Sequence, residues 1–286
     1  MARYGRWLLL LLLLWLLGLG CAAAAKTGDL QTRAVSLNDE GYQDYQQGRL
    51  VAAEGKFSQA LKLNRLIDRR QGIASNLNNL GVIAQQRGAP DEALAYFREA
   101  LAINRALSDP TGLSETLNNM GSAYLSQGKV EEARKAYQEA LEYAQTLPPG
   151  PLQALSLTHL GDTARARGDY GQALAYYQQA LAVHAARKNI LGQAVCWERL
   201  GRTFVDLKDY PQAGSYLHRA LKEFRRLEYT DGIADTLKDL TRLALAQGDR
   251  QEASLQGGLL LEIYRARGQE QEARKLEALL QNNQVH

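Results

Sequence analysis

Apolar residues along the chain recur at the spacing of an α-helix, and each such stretch is followed by a second one. One helix face, at spacing i, i+3, i+4 and i+7, is formed by Leu77, Leu80, Gly81 and Ala84. After a break at Gly88, a second stripe is formed by Ala93, Phe97, Ala100 and Leu101. Glycine suits a chain that leaves one helix and reverses, so the pattern predicts two helices joined by a tight turn.

The same pattern returns every forty residues. The glycines that stand at this interval are Gly81, Gly121, Gly161 and Gly201, with Gly41 and Thr241 in the same register. The glycines of the break recur as Gly88, Gly128, Gly168 and Gly248, with Lys208 as the exception. Gly and Ala let two helix backbones approach closely, while Phe or Tyr one turn away fills the gap. A fixed period of this size is typical of a solenoid, in which one helix pair is stacked many times.

Proline positions support the division of each repeat into two helices. Pro90 and Pro211 stand at the start of second helices, and Pro110 and Pro151 stand near the start of first helices. A proline costs little there, because the first amides of a helix have no partner within the helix. The pattern therefore predicts an all-α chain that forms one continuous stack.

The repeated segment resembles the tetratricopeptide repeat (TPR). The residues that carry the resemblance in one repeat are Leu77, Leu80-Gly81, Gly88, Ala93, Phe97 and Ala100-Leu101. The usual period of the family is about 34 residues, and the longer repeat of this chain resembles the repeats of kinesin light chains. The resemblance implies a right-handed α-solenoid of six TPR helix pairs over residues 31–267. The repeats are expected at about 31–67, 68–107, 108–147, 148–187, 188–227 and 228–267.

The two ends of the array depart from this pattern. The first repeat has Glu40 and Asp44 where apolar residues are usual. The sixth repeat has Gly257-Gly258 inside its second helix, so we expect that helix to bend or split. Residues 268–286 are predicted to form a polar capping helix and a tail, because a solenoid has to cover its last exposed face.

The resemblance also implies a binding surface. In TPR proteins the first helices line a concave groove, and residues three before, two before and one after the Leu-Gly glycine point into it. The predicted peptide-binding residues are Asn38, Tyr42, Tyr45, Asn78, Asn79, Asn118, Asn119, Ser122, His159, Asp162, Arg165, Arg199, Arg202, Lys238 and Arg242. An amide side chain offers a donor and an acceptor to a peptide group, so the asparagine pairs favour binding of a polypeptide backbone.

The predicted groove changes character along the chain. Its first half is neutral, with asparagines and tyrosines, whereas its second half contains arginines and Lys238, which suit acidic side chains or a carboxylate. The alternative is that these charges only solvate a helix face. Glu198 and Arg202 are spaced i, i+4 and form a pair of that kind. Asp235 is placed to meet Lys238 or Asp239 in the same way.

The first twenty residues have the composition of an export signal. Arg3 and Arg6 precede an apolar run from Trp7 to Leu17. A stretch of this length is short for a membrane-spanning helix, which needs about 20 residues. Residues 1–20 are therefore predicted to be removed on export.

A cysteine directly follows the apolar run. The segment that ends in Gly20-Cys21 resembles a bacterial lipobox, although Gly18 stands where a leucine is expected. We predict that Cys21 is the lipid-bearing first residue of the mature protein and that residues 21–30 form a tether. Two alternatives stay open, namely cleavage within Ala22 to Ala25 and retention of the apolar run as an uncleaved anchor.

Charge and composition exclude several classes of function. The net charge is +3, and loss of the signal would leave 32 basic and 31 acidic residues. A near-neutral chain gives no electrostatic case for binding nucleic acid. The four histidines, at 159, 184, 218 and 286, show none of the spacings of a metal site, and no Walker-type phosphate loop occurs. We expect no catalysis, no cofactor and no metal, and Cys196 is expected to be a buried core residue.

These observations predict a non-catalytic protein–protein interaction scaffold. Its partner is expected to be a protein or peptide bound in the groove, and the protein itself is expected to be a monomer. It is predicted to be exported and to lie in the cell envelope, either lipid-anchored at the periplasmic face or free in the periplasm. One alternative is structural self-association through Tyr143, Tyr176 and Tyr177, and another is a cytosolic TPR adaptor with an uncleaved N-terminal anchor.

Overall fold

The computed structural model describes residues 27–282, and every regular element among them is an α-helix. Helix α1 covers residues 27–46. The helices that follow are α2 (Leu50–Leu66), α3 (Arg70–Gln86), α4 (Pro90–Leu107), α5 (Pro110–Ser126), α6 (Val130–Gln145), α7 (Pro151–Ala166), α8 (Tyr170–Ala186), α9 (Ile190–Asp206), α10 (Tyr210–Arg226), α11 (Thr230–Gln247), α12 (Arg250–Ala266) and α13 (Glu270–Asn282). Odd-numbered helices up to α11 are the first helices of successive repeats, and even-numbered helices are the second helices. The predicted all-α class is confirmed.

Part of the predicted N-terminal region falls outside this description. The export signal of residues 1–20 and the lipid-bearing Cys21 lie outside the described residues. Residues 27–30, which the sequence assigns to the tether, belong to α1. The first helix therefore begins earlier than the repeat pattern predicts.

The chain forms two compact units, of which the first ends at Ala136 and the second begins at Tyr137, within α6. The repeat pattern predicts one continuous stack instead. A helix pair in such an array contacts mainly its neighbours, so no single globular core holds the array together.

Helices pair consecutively within each unit. In the first unit, α3 packs against α2 and α4, and α5 packs against α4 and α3. In the second unit, α7 pairs with α8, α9 with α10 and α11 with α12, while α9 also contacts α7 and α11. This arrangement is typical of a TPR solenoid, because neighbouring first helices contact each other as well as their own second helices.

In several repeats the glycine of the first helix lies against a large side chain of the following second helix. A Cβ atom placed on Gly81 would come within 2.4 Å of the Phe97 ring, and one on Gly161 within 2.5 Å of the Tyr177 ring. Phe97 and Tyr177 are fully buried. Each ring fills the volume that the glycine leaves free, which confirms the predicted close approach at these two positions.

Tight turns end both helices of most repeats. The predicted break glycines have positive φ, and Lys208, the predicted exception, adopts φ 62° without being glycine. A second series of positive φ angles, between one repeat and the next, was not predicted. It occurs at Asp68, Ser108, Lys188 and Glu228. The sequence gives no glycine signal for these turns, because other residues adopt the left-handed conformation there.

The irregular features at the two ends have local explanations. Glu40 on α1 forms an ion pair with Lys56 on α2, and Asp44 on α1 forms one with Arg49, just before α2. Ion pairs therefore replace the apolar contacts that are usual at these two positions. The expectation that the sixth second helix splits is wrong, because α12 is continuous from Arg250 to Ala266. A Cβ on Gly257 would lie 2.8 Å from Leu280 of α13. The absence of a side chain at Gly257 therefore lets α13, the capping helix, pack closely against α12.

Candidate functional site

In the first unit, the predicted Asn38 and Asn79 join Asn64 and Asn76 in a hydrogen-bonded ladder that connects successive helices. Asn64 donates to Asn76 at 2.8 Å, and Asn76 donates to Asn38 at 2.9 Å. Asn79 also donates to the Asn38 side-chain oxygen, at 3.0 Å. The ladder occupies space that Gly72 opens, since a Cβ there would lie 2.5 Å from the Asn64 side chain.

Two of the predicted groove asparagines are buried within the helix stack. Asn78 is 8% exposed and donates to Thr116 at 2.9 Å, and Asn118 is 2% exposed and donates to the carbonyl of Ser114 at 2.9 Å. The expectation that these amides face a groove is therefore wrong. Asn78 finds its partner on the neighbouring first helix and Asn118 finds one on its own helix, because a buried amide has to be hydrogen-bonded.

The other predicted residues of this unit remain accessible to different degrees. Asn79 and Asn119 are half-buried, and Ser122 accepts a hydrogen bond from Gln85 at 2.8 Å. Tyr42 is 52% exposed and stacks on Tyr45 with 6.3 Å between ring centroids. This surface offers amide, hydroxyl and aromatic groups without a net charge. Whether it binds a peptide stays a prediction.

In the second unit, the predicted residues lie next to one another in two polar groups. In the first group, Asp162 accepts a hydrogen bond from the Tyr177 hydroxyl at 2.8 Å and forms an ion pair with Arg199 at 3.3 Å. His159 stacks on Tyr137, with 4.6 Å between ring centroids. Burial lowers the pKa of His159, so the ring is neutral near pH 7.

The second polar group contains most of the predicted cations, and each arginine in it has a carboxylate partner. Arg202 pairs with Glu198 at 2.5 Å and with Asp239 at 2.8 Å. Arg165 and Arg242 both pair with Asp206, at 2.8 and 2.7 Å. The Glu198–Arg202 pair predicted from the i, i+4 spacing is present.

Ion pairing limits what these arginines are able to bind. Arg199 and Arg202 are partly buried, and Asp239, the carboxylate that pairs with Arg202, is 5% exposed. An incoming carboxylate would have to displace an existing partner, which costs desolvation and broken hydrogen bonds. Lys238 differs, because it is exposed and makes no ion pair within residues 27–282.

Four of the predicted residues line one open cavity of about 870 Å³. These four are Arg165, Arg202, Lys238 and Arg242, from the first helices α7, α9 and α11. The cavity is closed on the other side by α12 and α13, and we call it the α11–α13 cleft. Its apolar lining consists of Leu245, Leu260, Tyr264, Leu276 and Leu279.

The sequence did not identify the residues that α12 and α13 contribute to this cleft. Leu276 and Leu279 belong to the helix that was assigned only a capping role. Two leucines three residues apart on an otherwise charged helix could have indicated an apolar helix face. Asp206 and Asp239 were also missed as partners of the arginines, because they lie 36 to 41 residues away along the chain, on neighbouring first helices.

Several other candidate groups are internal. Cys196 is fully buried, and burial raises the pKa of its thiol to about 12, as expected for a core residue. Tyr177 is fully buried and Tyr143 and Tyr176 are half-buried, so Tyr177 is not available for the self-association considered above. Within residues 27–282, no cluster of three or more His, Cys, Asp or Glu residues has the arrangement of a metal site. No described helix has the length and apolar character needed to cross a membrane.

Comparison with solved structures places the fold among known repeat proteins. BtubC (BKLC) from P. vanneervenii is similar with a TM-score of 0.67 and 20% identity, over 77% of this chain and 92% of that chain. PilF from Pseudomonas aeruginosa has a TM-score of 0.60 and 22% identity, over 87% and 99%. A putative kinesin light chain from Podosopora anserina has a TM-score of 0.56 and 17% identity, over 70% and 98%. At these identities the likeness concerns the fold alone.

The sequence itself was compared with curated proteins and with protein-family models. No curated protein matches it. The family model of the tetratricopeptide repeat matches residues 32–106 and 112–186, which together make up more than half of the chain. The protein therefore belongs to the tetratricopeptide repeat family.

Proposed function

We propose that this protein is a non-catalytic interaction scaffold that binds a segment of a partner protein on the surface of its first helices. The observation that carries the proposal is the α11–α13 cleft, where side chains from three successive first helices meet around one open cavity. An open cavity with an apolar lining and a few polar groups is the usual form of a recognition site. Membership of the TPR family supports a protein rather than a small molecule as the ligand.

The neutral surface of the first unit is proposed to contribute to the same function. Asn79 and Asn119 are half-buried, so each still offers amide atoms to a peptide backbone. Asn119 makes no hydrogen bond within the described residues, which leaves its amide available. Polar contacts of this kind align a peptide, while apolar contacts supply most of the affinity.

Photo-cross-linking in the producing cells tests the proposal. A photoreactive amino acid is placed at Asn119, Ser122 or Lys238, and matched controls are placed at Arg98 and Lys135, which are exposed on second helices. We expect one protein to be cross-linked from the first-helix positions and not from the controls. Equal labelling from both sets, or no labelled protein, would remove the scaffold proposal.

The location of this scaffold is proposed from the N-terminal sequence. Two arginines, an apolar run and Cys21 support export and lipid attachment in the cell envelope. Mass spectrometry of the mature N-terminus tests this directly, with Cys21→Ala as the control. We expect a lipid-modified Cys21 in the wild type. An unmodified N-terminus within Ala22 to Ala25 would support a soluble exported protein, and an intact Met1 would support an uncleaved anchor.

A further inference from the structure

The rim of the α11–α13 cleft contains charges that the protein leaves unpaired. Asp235 and Lys238 on α11, and Glu272 and Lys275 on α13, all line the cleft and are all exposed. None of the four makes an ion pair within residues 27–282. The arginines of the same cleft are all paired with carboxylates. The cleft therefore contains arginines that already have partners and four charged side chains that have none within the described residues.

The unpaired charges follow the same order on both helices. On α11, Lys238 comes three residues after Asp235, and on α13, Lys275 comes three residues after Glu272. Three residues correspond to about 4.5 Å along a helix. Each helix then places a leucine beyond its lysine, Leu245 on α11 and Leu279 on α13. Both walls therefore contribute an acid, a lysine and an apolar side chain in succession.

The base of the cleft is apolar and helical. Leu260 and Tyr264 of α12 lie beneath the two walls, and Leu276 of α13 completes the apolar lining. Leu279 remains 46% exposed, although it lies on the cleft side of α13. An opening between α11, α12 and α13, to which α7 and α9 add Arg165 and Arg202, suits an amphipathic helix that inserts its apolar face, which is a recurrent mode of recognition.

We propose that the α11–α13 cleft binds one amphipathic helix of a partner protein, on whose inserted face an acidic residue lies between a basic residue and a large apolar residue. The basic residue faces Asp235 and Glu272, the acidic residue faces Lys238 and Lys275, and the apolar residue contacts the leucine end. The proposal rests on the proposed function, because it specifies what kind of segment the scaffold binds.

Charge order rather than net charge distinguishes this partner from others. A polyacidic segment would meet Asp235 and Glu272 at one end of the rim, and a polybasic segment would meet the two lysines. Like charges in contact oppose binding, so either segment is disfavoured relative to the ordered one. A helix without the apolar residue would leave the leucines in water and lose the largest favourable contribution.

A peptide selection tests the proposal and requires no identified partner. The probe is a displayed library of helix-forming peptides of about 16 residues, or about four helical turns, varied on one face and selected against the whole chain. We expect enrichment of peptides with the order basic, acidic, apolar at one- to two-turn spacing. We expect the Lys238→Glu, Lys275→Glu double variant to bind them about tenfold more weakly, which is about 1.4 kcal/mol.

Matched variants separate charge recognition from general effects. A selection repeated against the Lys238→Glu, Lys275→Glu variant should replace the acidic residue of the peptides with a basic one. Leu279→Lys should also weaken binding, whereas Lys222→Glu with Arg225→Glu, which are exposed on α10 and outside the cleft lining, should not. All these positions are on the surface, and circular dichroism should show unchanged helix content.

The opposite outcomes are equally specific. Selection of no binder, or of peptides that bind the cleft variants as well as the wild type, overturns the cleft proposal. If such peptides lose binding in the Asn79→Ala, Asn119→Ala variant, the scaffold function stands and its site lies on the first unit. If the cleft yields no binder and cross-linking in cells also labels no partner, the scaffold function falls with it.

Discussion

The side-chain nitrogen of Asn78 on α3 lies 2.9 Å from the hydroxyl oxygen of Thr116 on α5, and both residues are buried. The same hydroxyl accepts from Asn104 at 3.1 Å and donates to the carbonyl of Gly112 at 2.7 Å. Successive first helices are thus joined by a polar contact as well as by apolar packing. A buried hydrogen bond of this kind is satisfied only in one register of the helices.

The first prediction separates the structural asparagines from those still available for binding. Asn78→Ala should lower the free energy of unfolding by about 1–2 kcal/mol, because it removes a buried hydrogen bond and leaves a small cavity. Asn119→Ala should change it by less than about 0.5 kcal/mol, because Asn119 is half-buried and has no partner in the described chain. Urea unfolding followed by circular dichroism measures both. Equal effects would mean that burial does not distinguish the two positions.

The second prediction concerns the close approach of α3 and α4. Gly81→Ala should destabilise the protein by roughly 1–3 kcal/mol, because the new Cβ would lie within 2.4 Å of the Phe97 ring and force it to move. Gly55→Ala is the control on α2, where a Cβ would meet nothing within 4 Å. That change should stabilise by roughly 0.5–1 kcal/mol, because alanine is the better helix former. Two shifts of the same sign in thermal melts would contradict this account.

The repeat pattern was sufficient to predict the helix pairs, the glycine turns and the first-helix glycine packing. These features depend on the spacing of apolar and small residues, which is visible in one chain. Gly81 and Phe97 are an example, because the small residue on the first helix leaves the space that the ring on the second helix fills.

The site was less predictable, because the surface that a side chain faces depends on how each first helix is rotated about its axis relative to its neighbours. Asn78 and Asn79 are adjacent in the chain, yet one is buried and the other half-buried. Arg202 pairs with Glu198 as its spacing predicts, but its second ion pair depends on Asp239, which lies 37 residues away on α11. The contribution of α13 to the cleft depends on where the last helix packs, and no repeat spacing specifies that.

The third prediction concerns the one break turn that lacks glycine. Lys208 has φ 62°, whereas the equivalent Gly88, Gly128, Gly168 and Gly248 occupy the same turn without steric cost. Lys208→Gly should stabilise the protein by roughly 0.5–1 kcal/mol, because relief of the left-handed conformation exceeds the added entropy of the unfolded chain. Lys129→Gly is the control, since Lys129 follows a glycine of this series and does not have positive φ. Calorimetry should show a higher melting temperature for Lys208→Gly and a lower or unchanged one for Lys129→Gly.

The fourth prediction follows from the buried carboxyl of Glu198 on α9. It is 4% exposed, and burial raises its pKa to about 8 despite the adjacent Arg199 and Arg202. A carboxyl whose pKa is higher in the folded state than in the unfolded state favours folding when it is protonated. Its contribution is therefore fully present below about pH 4.5 and decreases as the pH rises toward 8.

Glu198→Gln removes this dependence, because an amide stays neutral throughout the range. We expect the stability of the variant relative to the wild type to increase by roughly 1–3 kcal/mol between pH 5 and pH 8. Titrating groups that do not contact Glu198 act in both proteins and cancel in the comparison. The control is Glu262→Gln, the same change of side chain at an exposed position on α12 that makes no ion pair within residues 27–282, measured over the same pH range. A constant difference between wild type and Glu198→Gln would show instead that the two arginines keep Glu198 ionised, and that the group at Arg202 is a salt-bridge network at every pH of this range.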